Sequence, residues 1–437
     1  MSAHETAAPQ RAARPPAPGE PRLVIRDKPL SLAEHLDHYG PVPLHALSAT
    51  TLIGEVDQSG LTGRGGGAFP AGRKLRAVAE AGSRSGRGGT VVVANGSESE
   101  PASSKDGVLL SRSPHLVLDG IALCARAVGA GEARLCIGRA VTGLAGSLAA
   151  ALAEREHAGL TEVPVQVTAT PPGYLSGQET ALISALNGGA PRPTFVPPRP
   201  AERGARRRPT LVLNVETLAH IALIGRFGSR WYRSAGTSGA PGTALVTVSG
   251  AVGRPGVREV PLGTPLGEVL RRCDLLQPAQ AVLTGGYFGA WLPLPAAAEV
   301  PVTPEGLRAA GGALGAGVLG VLPADACGLA ETARLTAFLA DQSAEQCGPC
   351  RNGLPALAEA LDWIAFGRAG PEIAGRAQEL TRLISGRGAC HLPDGAALLV
   401  RSALSAFAAD LRVHAEYGPC TAAGRPAIFP VPGPGWE

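Results

Sequence analysis

Two short apolar runs, Val91 to Ala94 and Leu211 to Leu213, each break off directly into a polar cluster. A run without polar alternation suits a strand buried on both faces, as parallel strands are when helices cover the sheet. His115 to Val128 supplies such a helix, apolar at 117, 118, 121, 124, 125 and 128. The pattern therefore predicts an open α/β sheet, in which ligands collect beyond the carboxyl ends of the strands. Two clusters stand where a site belongs: Asn95 to Glu100 and Asn214 to Thr217.

The pattern changes near residue 240. Thr243 to Gly250 alternates, Gly253 to Gly256 turns, Val257 to Val260 begins a second strand, and a short helix precedes the strand Ala281 to Leu283. These features predict a small β-rich domain with one helix. Beyond it, Leu329 to Ala340, Leu354 to Phe366, Ile373 to Ile384 and Ala396 to Val413 have helical periodicity, which predicts a four-helix bundle. At about 150 residues per domain the length allows three domains. The expected boundaries are 23–239, 240–327 and 328–437, behind a disordered Pro/Ala-rich tail over 1–22.

Composition narrows the classes of function. Apolar residues at 45% and charged residues at 17% describe a globular chain, and a net charge of +4 argues against a nucleic-acid partner held by overall field. The first 22 residues lack the apolar region of a secretory signal. The longest nearly uncharged stretch, Ala309 to Pro323, falls short of the roughly 20 residues of a spanning helix, so a cytoplasmic chain is expected. Eight cysteines are too sparse for a disulfide scaffold, which leaves burial, catalysis or metal binding.

Three constellations could support chemistry. Gly63 to Lys74 is the densest glycine loop and leads into a helix expected to begin near Lys74; such a loop lets backbone N–H groups approach a phosphate, and it equally describes a surface loop. Glu98, Glu100 and Glu179 follow strand or turn signals and suit either nucleotide binding or helix capping. Cys347-Gly348-Pro349-Cys350 with Cys390 in a later loop suits an iron–sulfur cluster or zinc. Cys124, Cys136 and Cys273 lie in apolar patterns and read as core, while Cys327 and Cys420 lie in turns and stay open as ligands.

In kind and order these motifs resemble the NADH- and FMN-binding flavoprotein of respiratory complex I, its F subunit, and the related diaphorase subunits of hydrogenases and formate dehydrogenases. Gly63, Arg64, Gly65, Gly66, Phe69, Pro70, Gly72 and Lys74 match the family's glycine-rich loop, with Gly67-Ala68 inverting its Ala-Gly. Asn95, Glu98, Glu100, Pro101, Lys105 and Asp106 match its acidic segment, with Ser97 where Asp is expected. Tyr174, Gly177, Glu179 and Thr180 match a third motif with Gln178 replacing a Glu, and Asn214, Val215, Glu216 and Thr217 a fourth with Leu213 replacing an Asn. Arg199 and Ala77 stand where the family places aromatics near the adenine, and Ala344 stands at one of four cluster ligands, leaving Cys347, Cys350 and Cys390.

The resemblance implies an α/β FMN-binding domain, a β-grasp domain of the soluble-ligand-binding type and an all-α bundle with a [4Fe–4S] cluster. It implies that NAD(P)H passes hydride to FMN, with Glu100 and Glu179 lining the nicotinamide. The other implied cofactor contacts are Gly63, Arg64, Gly65, Gly66, Phe69, Lys74, Asn95, Glu98, Tyr174, Gly177, Asn214 and Thr217. Flavin is needed because hydride delivers two electrons while an iron–sulfur centre takes one at a time. The implied partner is a [2Fe–2S] thioredoxin-like or ferredoxin-like protein or a quinone reductase, in a complex that can be peripheral at the inner face of a membrane. Cys327, Cys420 or a non-cysteine group is expected to complete the cluster, unless it is a [3Fe–4S] form. Two rivals stand beside this reading: a scaffold with a decayed flavin site, favoured by Ser97, Gln178 and Leu213, and a zinc-stabilised structural subunit using the three cysteines.

Overall fold

The structure, a computed structural model, describes residues 15–17, 19–84, 89–138, 143–276, 278–367 and 370–433. β1 (Thr90–Gly96), β2 (Ala130–Ile137), β3 (Val165–Ala169) and β4 (Thr210–Asn214) form a sheet in the order β3-β2-β1-β4, parallel throughout. Val91 to Ala94 and Leu211 to Leu213 are buried on both faces of this sheet, which explains their unbroken apolar character. The helices Pro114–Val128 and Val215–Tyr232 cover one face within a large apolar core, and the smaller cluster of Val91, Val93, Cys136, Leu182 and Val212 lies on the other. Register puts Asn95 directly beside Asn214 where β1 and β4 end.

β5 (Thr243–Gly250), β6 (Gly256–Pro261), β7 (Ala279–Thr284), β8 (Ala290–Pro293) and β9 (Val318–Pro323) form a second, mixed sheet in the order β6-β5-β9-β7-β8, with β5 and β9 parallel at its centre. One face packs on the helix Leu266–Arg272 through Val246, Val248, Val282 and Val321. The other face, through Ala281, Leu283, Trp291 and Leu322, shares one apolar core with the C-terminal helices. Trp291 seals that junction by donating its indole N–H to Thr332 at 2.9 Å.

The bundle departs from four helices. Leu392–Ala406 and Ala408–Tyr417 replace the single helix expected over Ala396 to Val413. Phe407 at the break has φ −109° and ψ 32°, and its ring enters the core edge-on to Trp291, 5.3 Å between centroids. Burying that ring turns the chain out of helix. The helix after the glycine loop begins at Ala71 rather than near Lys74.

The tail expected over 1–22 lies largely outside the described residues. Where described, it is held: Arg22 is 1% exposed, donates to Tyr232 O at 3.0 Å and lies over the Trp231 ring, and Trp231 Nε1 donates to Pro16 O.

Candidate functional site

The site grows from the paired strand ends. Asn214 caps the helix Val215–Tyr232 by accepting from Glu216 N, and its amide donates to Asp106 Oδ2 at 2.6 Å and to Asn95 O at 3.3 Å. Asn95 in turn donates to Gly177 O at 2.8 Å and accepts from Ser97 N. Thr217 Oγ1 accepts the backbone N–H of Arg64 at 2.9 Å, which draws in the glycine loop. Gly65 lies so close that a Cβ would stand 3.3 Å from Asn214 Cβ, and Gly66 has φ +99°. Four segments far apart in sequence thus meet at one end of the sheet.

Beneath the glycine loop lies a buried charge network. Lys105 Nζ is 2.6 Å from Asp106 Oδ1, 3.0 Å from Glu216 Oε2 and 3.3 Å from Asn214 Oδ1. Arg64 donates to Tyr232 OH at 3.1 Å and Thr243 O at 3.0 Å, and its Nε, 3.7 Å from Glu216 Oε1, has no hydrogen-bond partner among the described residues. Burial alone would raise Glu216, but Lys105, His220 and Arg64 hold its carboxyl down at about 2. Glu216 also accepts from Leu245 N at 2.9 Å, tying the first sheet to the second. A cavity opens above this network between the glycine loop and residues 312–317, with Arg308 on its wall. Glycine backbone, a buried lysine and a buried arginine around one cavity fit the phosphate end of a flavin nucleotide.

The acidic residues separate by environment. Glu98, at φ +42°, uses both carboxylate oxygens on Ser103 Oγ and the amides of Asp106 and Gly107, so it caps the helix Lys105–Arg112. Glu100 accepts from Tyr174 OH at 2.8 Å and Tyr287 N at 2.9 Å, and burial raises its carboxyl to about 7. Glu179 lies 2.8 Å from Lys74 Nζ, in the helix Ala71–Arg84, and stays partly exposed; Phe69, on the loop before that helix, is 47% exposed.

Because the folded value for Glu100 lies above the ordinary carboxyl value, the stability it contributes is complete below about pH 4.3 and is lost as pH rises through about 7. Glu100→Gln mimics the protonated form. Urea unfolding between about pH 5 and pH 8 is expected to show a flatter decline for the variant, the wild type losing on the order of 3 kcal/mol more. An identical slope would remove Glu100 as its source.

The three motif cysteines gather at the start of the helix Leu354–Phe366. Cys350 is 2% exposed, and burial together with Cys347 and Cys390 pushes its thiol up to about 12. Burial raises Cys347 too, but amide N–H bonds from Ala389 and Cys350 outweigh it and lower that thiol. Cys350 accepts from Ala344 N, and Cys390 from Leu392 N. Backbone N–H groups aimed at three converging sulfurs fit an iron–sulfur cluster, whose thiolates take such bonds. Position 344 supplies only its backbone. Cys327 and Cys420, expected among candidates for the missing ligand, instead face His414. Cys124, Cys136 and Cys273 are fully buried in the core.

Sequence reasoning missed Tyr287, Arg308 and residues 312–317. Their signal was the glycine density of Gly311 to Gly317, which stood out only as an apolar stretch.

The Nuo51 FMN-binding domain family matches residues 56–223, and the NADH-ubiquinone oxidoreductase-F iron-sulfur binding region matches residues 330–414. The NADH-quinone oxidoreductase F subunit of Mycobacterium tuberculosis is 32% identical over 386 residues, covering 84% of this chain and 85% of that one. The chain belongs to the NADH-quinone oxidoreductase F-subunit family. The F subunit of Escherichia coli is 31% identical over 382 residues, 83% of this chain and 84% of that one. The NAD+-reducing [NiFe]-hydrogenase in its H2-reduced state is similar in structure, with TM-score 0.78 and 30% identity over 89% of this chain. The chain spans 65% of that hydrogenase chain. In this member of the F-subunit family, the FMN-binding match takes in the glycine loop and both strand-end clusters, and the iron–sulfur match takes in Cys347, Cys350 and Cys390. Among the described residues no single helix is long and apolar enough to cross a membrane.

Proposed function

We propose that this chain oxidises NADH at a bound FMN and sends electrons singly through a [4Fe–4S] cluster at Cys347, Cys350 and Cys390 to a partner protein. The observation behind this reading is the meeting of the glycine loop with Asn95 and Asn214 above the Lys105–Glu216 pair. When bound, FMN converts a two-electron hydride into single electrons. Gly65 and Gly66 keep side chains out of the phosphate approach, and Lys105 and Arg64 supply buried positive charge. Glu100 keeps a proton on its carboxyl up to about pH 7, beside Tyr174. Lys74 and Glu179 form the polar rim, with Phe69 as an exposed aromatic face for a nucleotide base.

The three-domain division extends this reading. The order β6-β5-β9-β7-β8, with a parallel central pair and a helix between β6 and β7, supports a β-grasp domain between the flavin domain and the bundle. The names of the relatives support a multisubunit assembly; within it, the proposed acceptor is a [2Fe–2S] thioredoxin-like or ferredoxin-like protein, and the proposed place is the cytoplasmic side, peripheral to a membrane. The test is turnover of NADH with an artificial acceptor: protein carrying flavin is expected to turn over and protein stripped of it is not. Equal rates would sink the reading.

Nucleotide choice centres on Arg199. Arg206 and Arg208 pair with Glu132, whereas Arg199 is exposed next to Pro197-Pro198 and the exposed Phe195. A guanidinium can stack on adenine and also grip a 2′-phosphate. Arg199→Ala is expected to lower the NADPH-to-NADH preference by roughly 10-fold or more, the value of a charge-assisted hydrogen bond of about 1.5 to 3 kcal/mol. Steady-state kinetics with both nucleotides measures it; an unaltered ratio means Arg199 does not read the phosphate.

A further inference from the structure

Cys327 precedes the helix Gly328–Asp341, His414 lies in the last turn of Ala408–Tyr417, and Cys420 follows that helix. Their Sγ and Nε2 atoms all lie within 4.8 Å of one another, and Cys327 Sγ is 3.8 Å from His414 Nε2. Cys327 is 4% exposed and His414 3%. The ring is oriented from behind: His414 Nδ1 is 3.0 Å from the carbonyl oxygen of Ile364, which only accepts, so Nδ1 has the hydrogen and Nε2 presents its lone pair to the sulfurs. A histidine that ligates a metal through one nitrogen characteristically donates its other N–H in this way. Cys420 N donates to Nε2 at 3.2 Å, a hydrogen bond that ligation would displace.

We propose that Cys327, His414 and Cys420 bind one zinc ion, separate from the iron–sulfur site, that fastens the C-terminal segment to the helical bundle. Zinc bonds of about 2.3 Å to sulfur and about 2.0 Å to nitrogen, at tetrahedral angles, place donor atoms roughly 3.5 to 3.8 Å apart. The observed spacing suits that single ion, whereas a cluster puts each thiolate on a different iron and spreads them wider. Two thiolates and a neutral imidazole cancel a dication, so the filled site is neutral and suited to burial. Both thiols deprotonate on binding, and their two protons leave to solvent. Thiolate and imidazole together favour zinc over hard cations, and three protein donors leave the fourth position to a water. The groups drawn together are the start of one helix, the end of another, Ile364 of Leu354–Phe366, and a terminal segment already tied down where Arg334 donates to Ala423 O at 2.8 Å.

Metal content of anaerobically purified protein tests this. Wild type is expected to hold about one zinc per chain beside its iron, the stoichiometry of a single-ion site. Cys420→Ser, at a half-buried position, is expected to lose that zinc and keep iron and flavin, while Cys347→Ser/Cys350→Ser loses iron and keeps zinc. Should Cys420→Ser fail to fold, cobalt added to the zinc-stripped wild type is expected to give thiolate-to-cobalt absorption that survives in the Cys347→Ser/Cys350→Ser variant. Wild type that takes up no zinc or cobalt, zinc lost from the Cys347→Ser/Cys350→Ser variant, or a Cys327–Cys420 disulfide found by mass spectrometry would each overturn the proposal.

Discussion

Gly66→Asp is expected to abolish flavin binding while the chain still folds. Gly66 has φ +99°, a conformation L side chains rarely adopt, in the loop that Thr217 holds against Asn214. An aspartate there strains the backbone by about 1 to 3 kcal/mol and sets a carboxylate where a phosphate must approach. Gly66→Ala carries the strain without the charge and is expected to weaken binding less. Gly67→Ala is the control, since a Cβ at Gly67 meets nothing within 4 Å and needs no unusual φ. Flavin released on denaturation measures all three; normal occupancy in Gly66→Asp contradicts the placement.

Lys105→Met is expected to have the largest effect on stability. The ammonium is enclosed by Asp106, Glu216 and Asn214, and Glu216 is in turn the acceptor for Leu245 N on the second sheet. Removing the cation leaves two buried carboxylates short of charge, a loss of about 3 to 5 kcal/mol when one member of a buried pair is deleted. Adding Glu216→Gln removes one of those carboxylates and is expected to recover part of the loss. Urea unfolding of the single and double variants measures this; equal stability of Lys105→Met and wild type would mean the pair contributes nothing.

Two strands of the parallel sheet, β1 and β4, were legible because burial on both faces leaves an unbroken apolar run, as at Val91 to Ala94, whereas β2 and β3, partly exposed along their length, were not. Leu354–Phe366 was legible because one apolar stripe repeats along it. Phe407 was not: its apolar character fits helical periodicity, and only the pocket beside Trp291 breaks the helix there. β8 and β9 were missed because Ala290–Pro293 is only four residues long and Val318–Pro323 follows a glycine-rich stretch with no alternation. At the site, sequence grouped Glu98 with Glu100, and the backbone separates them by turning Glu98 onto the helix amides behind it. His414 stayed hidden because Cys420, nearby in sequence, was read toward the iron–sulfur cluster and Cys327 is far away in sequence, so only the fold brings the three together.

The proposed function has this chain move electrons from NADH to FMN and then to the cluster. Anaerobic titration with NADH, followed by visible absorption and low-temperature electron paramagnetic resonance, tests it most directly. The flavin absorption is expected to bleach and a reduced iron–sulfur signal to appear, and Cys347→Ser/Cys350→Ser is expected to keep the bleaching and lose the signal. Purified protein whose flavin does not bleach with NADH, or whose iron–sulfur signal survives in that double variant, contradicts the account.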